Sequence, residues 1–171
     1  AALPKVEWSS IKLDLYRRDF TINTLAVRLD PARFGDMIDF FGGRRDLKEK
    51  TIRVLHNLSF VEDPSRIFRA IRFEQRFDFH LSKLTAQLLH NAVKIDLLRS
   101  LSGKRIFSEI ALLLAEDKVP ALIRRLHELK VLQAIHPAVQ YDQPLRTMLK
   151  SIAEVLSWFG LLYLDNTCES W

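Results

Sequence analysis

At about residue 60 this sequence changes character, and Asp63-Pro64 marks the change. Asp followed by Pro opens a helix. The carboxylate accepts N–H groups that would otherwise be orphaned, and proline at the first helical position has no N–H to leave unsatisfied. Ile67, Phe68 and Ile71 recur behind it at helical spacing, which predicts a helix over residues 63–77. From there every apolar pattern is helical: 82–93 behind Ser82, 103–116 behind Ser102 or Gly103, 119–129, 131–136 stopped by Pro137, and a long last helix from Pro144 carrying Ile152, Val155, Leu156, Phe159 and Leu162. Ahead of residue 60 only 36–41 and 51–55 read as strands, too few for a sheet that stands alone. Residues 15–29 show helical spacing at Phe20, Ile22, Leu25, Ala26 and Leu29, ended by Asp30-Pro31, and 1–13 read as a connector. The expected fold class is mainly α, α+β overall: a piece of an α/β unit over residues 1–58, then a helical bundle.

Composition narrows the function classes. With 48% apolar and 27% charged residues, the 171-residue chain suits a globular protein of one domain or two small ones. Lys and Arg exceed Asp and Glu by 26 to 21, a net charge of +5 that fits a polyanionic partner such as RNA without demanding one. The single cysteine, Cys168, excludes an internal disulfide framework and fits a reducing cytoplasm. The five histidines make no zinc-spaced set, and no apolar run reaches the roughly 20 residues of a membrane span. The start, Ala1-Ala2-Leu3-Pro4, has neither Met nor a signal pattern and reads as the cut end of a larger protein.

Two segments carry the chemistry. On a helix from Asp63, Arg66, Arg69, Arg72 and Arg76 fall within an arc of roughly 120°, opposite the apolar residues. Clustered guanidinium groups repel one another unless an anion sits among them, and a triphosphate or an RNA backbone would serve. A solvated charged face, or acids supplied by other elements, would serve as well. Asp63 and Arg66, three positions apart, offer an acceptor beside a donor. Adenine and cytosine present the complementary amino donor and ring-nitrogen acceptor, whereas guanine and uracil present the opposite polarity. The pair could thus select A and C over G and U. The same two residues also read as a plain salt bridge at a capped helix start. The second segment is Arg17-Arg18-Asp19-Phe20-Thr21-Ile22-Asn23. Its arginines could hold phosphates and Asp19 could accept a ribose hydroxyl, while Asn23 could brace them, touch a phosphate or simply pack or cap. Phe41-Gly42-Gly43-Arg44-Arg45-Asp46-Leu47 lacks the spacing of a P-loop or a dinucleotide fold and reads as a tight turn after a strand.

Taken together these motifs resemble bacterial tRNA nucleotidyltransferases and poly(A) polymerases of the class II polymerase-β-like superfamily. The likeness rests on 17–23, on Asp39-Phe40-Phe41-Gly42-Gly43, on Glu62-Asp63-Pro64-Ser65-Arg66 with Arg69-Ala70-Ile71-Arg72-Phe73, and more weakly on Ser102-Gly103-Lys104-Arg105-Ile106-Phe107-Ser108-Glu109. The resemblance implies short remnant strands of a nucleotidyltransferase head over 1–58, a helical neck over 59–140 and the start of a helical body over 141–171. It implies that Asp63 and Arg66 read the base, that Arg69 and Arg72 reach toward the triphosphate, and that Arg17 or Arg18 contacts the nucleotide with Asp19 near its ribose. The implied partners are ATP, with CTP as a second substrate, and the tRNA 3′ end, with no membrane; self-association stays open, because remnant strands expose edges. Mg²⁺ would act in the intact parent. Its ligands there are an Asp-x-Asp pair, which this chain lacks, so the metal carboxylates are expected ahead of Ala1 and the 171 residues alone are expected not to catalyse. The alternatives are a poly(A) polymerase acting on general RNA ends and a helical RNA-binding module that binds no nucleotide.

Overall fold

The computed structural model describes residues 10–162. Ser10 caps the first helix, α1 (Ile11–Tyr16), by accepting the Leu13 N–H at 3.3 Å. The helix expected over 15–29 does not form. Its residues instead make a turn, a 3-10 turn (Thr21–Thr24) and the strand β1 (Ala26–Val27). Non-local pairing overrides the local spacing: Phe20 bridges Val54, and the Thr21 N–H donates to the Arg53 carbonyl at 2.9 Å. The Asp19 carboxylate also accepts the Phe20 N–H at 2.9 Å.

The strand expected over 36–41 shrinks to β2 (Met37–Ile38), antiparallel to β1 with Ala26 opposite Ile38. Beyond it the expected turn is the entry to a further helix, α2 (Gly43–Lys48). Gly42 takes a left-handed conformation (φ 80°), and the Asp39 carboxylate accepts the N–H groups of Gly42, Gly43 and Arg44 at 2.8, 2.9 and 3.0 Å. Four backbone donors, Phe41 included, pull the Asp39 carboxyl below its ordinary value against the opposing effect of burial. The second expected strand is β3 (Thr51–Ile52), with Val54 continuing into the bridge to Phe20.

A short helix, α3 (Ser59–Glu62), precedes the Asp63-Pro64 corner, and the regular part of the next helix is α4 (Arg66–Arg76). A tighter turn connects them, in which the carbonyls of Asp63, Pro64 and Ser65 accept from the third residue on. The chain then pairs β4 (His80–Leu81) in parallel with β3. Helices α5 (Lys83–Lys94) and α6 (Gly103–Leu114) start at serine caps, Ser82 and Ser102. After α7 (Val119–Glu128) and α8 (Val131–Ile135), the helix α9 (Gln143–Leu162) ends the described residues. Of the connector expected over 1–13, residues 11–13 are instead the first turn of α1, because Ser10 caps a helix there; residues 1–9, the end of the expected body and Cys168 lie outside the described residues. The fold is thus mainly helical with short strands. Its core packs Phe20 and Ile52 against Phe68 and Ile71 of α4 and, further along, Leu89 of α5 and Leu122 of α7. α4 is therefore the central strut, and its N-terminal end faces the 17–23 segment.

Candidate functional site

A hollow of about 480 Å³ lies between the 17–23 segment and the start of α4, lined by Arg18, Asp19, Asn23, Asp63, Arg66, Arg69 and Phe73. Six of the eight residues singled out from the sequence converge there, although the two segments lie some forty positions apart in the chain.

Asp19 is the keystone. It is buried, and Oδ1 accepts from the Phe20 N–H at 2.9 Å and the Asn23 amide at 2.7 Å. Oδ2 accepts the Arg69 Nε–H at 2.7 Å, and Nη2 of the same guanidinium lies beside it. A ribose hydroxyl therefore reaches this carboxylate only in place of one of these donors. Asn23 braces Asp19, and Asp19 aims Arg69 into the hollow. Arg18 is half exposed; it donates to the Asn23 carbonyl at 3.4 Å and stays near Asp14.

Arg66 is held by oxygens that carry no charge. Nη1 donates to Ser59 Oγ at 2.8 Å and to the Ser59 carbonyl at 3.3 Å, and Nη2 to the Arg17 carbonyl at 3.0 Å. Glu62 approaches only to 3.8 Å. The guanidinium is thus fixed in place by uncharged oxygens, with Glu62 as its carboxylate neighbour. Asp63 does not form the plain salt bridge with Arg66. Its Oδ1 caps the corner by accepting the Ser65 N–H at 3.1 Å and the Ser65 hydroxyl at 2.7 Å, and both oxygens accept Arg105 Nη2 at 2.9 Å. Acceptor and donor stand on one wall of one hollow with separate anchors.

Two expected residues are not brought in. The Arg17 side chain is exposed and pairs with Asp14; only its carbonyl serves the site. Arg72 is 8% exposed and lines a different hollow, with Arg76, Phe77, Glu116 and Lys118. Burial lowers its pKa, with Arg69 and Arg76 adding to the effect and Glu109 and Glu116 opposing it. Burial likewise raises the Glu109 carboxyl, against Arg72 and Arg69. The four-arginine face is therefore partly neutralised by the protein: Arg69 by Asp19, Arg76 by Glu116 at 3.5 Å, and Arg72 by the nearby Glu109.

The sequence reading missed Phe73, whose ring carries the Arg69 guanidinium at 5.4 Å and offers the hollow an apolar wall. It also missed the anchoring by Ser59, Ser65 and Arg105. Ser65 and Arg105 sat inside quoted motifs, but nothing in one strand of sequence says that positions 63 and 105 meet. Among the described residues no group of three His, Cys, Asp or Glu side chains could hold a metal ion, so a divalent cation does not fit this section by itself.

A family model for the poly A polymerase head domain matches residues 2–53, and one described as a probable RNA and SrmB-binding site of polymerase A matches 78–142. The chain is 54% identical over 170 residues to an A-adding tRNA nucleotidyltransferase of Geobacter sulfurreducens, covering 99% of this chain and 19% of that protein. The chain belongs to the tRNA nucleotidyltransferase and poly(A) polymerase family. An A-adding tRNA nucleotidyltransferase of Aquifex aeolicus is 44% identical over 98% of this chain and 20% of its own length. A solved complex of a CCA-adding enzyme with ATP superposes with a TM-score of 0.82 at 47% identity, over 88% of this chain and 36% of that one. The chain thus spans about a fifth of the length of these two relatives. Within this family member, Asp63 to Arg72 fall between the two matched models.

Proposed function

We propose that this chain is the nucleotide-selecting section of a template-independent RNA nucleotidyltransferase that adds A, or C and A, to tRNA 3′ ends. In this reading residues 1–58 are the end of the head, 59–140 the neck that reads nucleotide and RNA, and 141–171 the start of the body. The observation that carries it is the anchoring of Asp63 and Arg66 on the wall of one hollow, with Arg69 and Arg18 beside them. A carboxylate and a guanidinium held in this way do the work of a complementary base. They complete the hydrogen bonds of A or C and leave G or U with buried unpaired groups.

The reaction is in-line attack of the RNA 3′-hydroxyl on the α-phosphate, with pyrophosphate leaving. This section binds and orients: Arg69 and Arg18 meet negative charge, Phe73 gives the base an apolar surface, and Asp63 with Arg66 sets its identity. Arg72, buried one turn away beside Phe73, steadies that wall. The carboxylates that hold Mg²⁺ belong to a part of the enzyme outside this chain. The A-adding names of the relatives favour ATP as the nucleotide; the polarity of the pair admits CTP.

The test uses the whole enzyme that contains this section. Asp63→Ala and Arg66→Ala should each relax the choice of ATP over GTP, by about 1–3 kcal/mol for a lost pair of base hydrogen bonds. Unchanged choice in both variants sinks the proposal and favours a helical RNA-binding module. A poly(A) polymerase, the second reading, rests on the family models' names. It would extend generic RNA ends as readily as tRNA lacking its terminal A.

A further inference from the structure

We propose that Arg105, on α6, is a specificity-determining positioning residue that fixes the Asp63 carboxylate for base selection. This rests on the reading of Asp63 and Arg66 as the selecting pair. Three donors saturate Asp63 Oδ1: the Ser65 N–H, the Ser65 hydroxyl and Arg105 Nη2. Oδ2 accepts from Arg105 Nη2 alone among the described residues. One acceptor position is left, on one oxygen, in one orientation.

Selectivity depends on that restriction. A carboxylate free to turn could accept the ring N–H of guanine as readily as the amino group of adenine, and would discriminate little. Ser65 by itself pins only Oδ1 and leaves the torsion about Cβ–Cγ loosely held. The Arg105 nitrogen touches both oxygens at 2.9 Å and Ser65 Oγ at 3.3 Å, and so closes the arrangement.

Arg105 does not line the hollow and so acts through Asp63. It is placed by the Ser102 cap, which accepts the Arg105 N–H at 3.4 Å. Opposite charges also face each other between α4 and this stretch of chain: Glu116, just past α6, lies 3.5 Å from Arg76, and the half-buried Glu109 of α6 feels the charge of Arg72. The Arg105 side chain is 55% exposed, so the pair contributes little to stability. Its position, not its bond strength, is what the site uses.

In the whole enzyme, ATP and GTP are compared as substrates for the unaltered protein and for Arg105→Met, Arg105→Lys and Asp63→Ala, with thermal melting of each. Arg105→Met should lower the ATP:GTP preference about tenfold, the size of one charge-assisted hydrogen bond, and raise the KM for ATP more than it lowers kcat. Arg105→Lys should recover part of the preference, since lysine restores a charged donor without the fixed fork. Arg105→Gln, which keeps the stem, is read in the same way where the methionine variant folds poorly. If Arg105→Met keeps the preference while Asp63→Ala loses it, the inference about Arg105 fails and the selecting pair stands. If Asp63→Ala also keeps it, the selecting pair falls and the inference with it.

Discussion

Gly43 sits where a side chain has no room. A Cβ there would lie 2.5 Å from the Thr21 carbonyl oxygen and 3.2 Å from the Leu25 side chain. That closeness lets α2 back onto the 3-10 turn and hold the 17–23 segment in place. Gly43→Ala should destabilise the protein by about 1–3 kcal/mol, read as a lower urea midpoint, because backbone must move. Asp39, which starts the same helix, makes a pH prediction. Its folded pKa is lowered below the ordinary 3.8, so its contribution is present above that value and is lost as the pH falls through the lower folded value. Unfolding midpoints taken between about pH 2 and 6 should fall less steeply at the acid end in Asp39→Asn than in the unaltered chain. An equal acid slope would show that its backbone contacts add nothing. Most of the residues that line the hollow were legible at this level. Asp63, Arg66, Arg69, Asp19 and Asn23 have donor and acceptor patterns that suit a nucleotide whatever holds them. Their partners were not, because a carboxylate's neighbours come from elsewhere in the chain: Asp19 turned out to be filled by Arg69, and Asp63 by Arg105.

Among the elements, α4 is held to α7 by an ion pair whose carboxylate is buried and whose guanidinium is half-buried. Glu74 accepts from Arg125 Nε at 2.6 Å and Nη2 at 3.0 Å, and this bonding raises the Arg125 pKa above its ordinary value. Arg125→Ala leaves the Glu74 carboxylate, 6% exposed, without its cation. It should cost about 3 kcal/mol, visible as a lowered melting temperature, and Glu74→Gln in the same background should recover part of it. Helices α5 and α6 matched expectation because their starts are written locally, as serine caps before an apolar period. The segment 15–29 did not, because Phe20 and Thr21 are claimed by Val54 and Arg53 across the fold. β4 was invisible for the same reason: two residues gain strand geometry only by meeting β3.

The molecule as a whole is uneven in burial. The middle of α4, with Ile67, Phe68 and Ile71, is fully buried, whereas Val27, Leu29, Phe34 and Met37 around the first hairpin are exposed. Hydrogen exchange should therefore protect amides of α4 most and those of 26–38 least. Equal protection in the two regions would contradict this difference in packing. Composition, caps and apolar periods sufficed to establish a mainly helical chain with a cationic helix face, because each is a property of neighbours within a few residues. The convergence of 17–23 with 63–73, the exclusion of Arg72 from that hollow, and the grip of Arg105 on Asp63 came from packing. They depend on which groups are brought together across forty or more positions, and no local pattern encodes that distance.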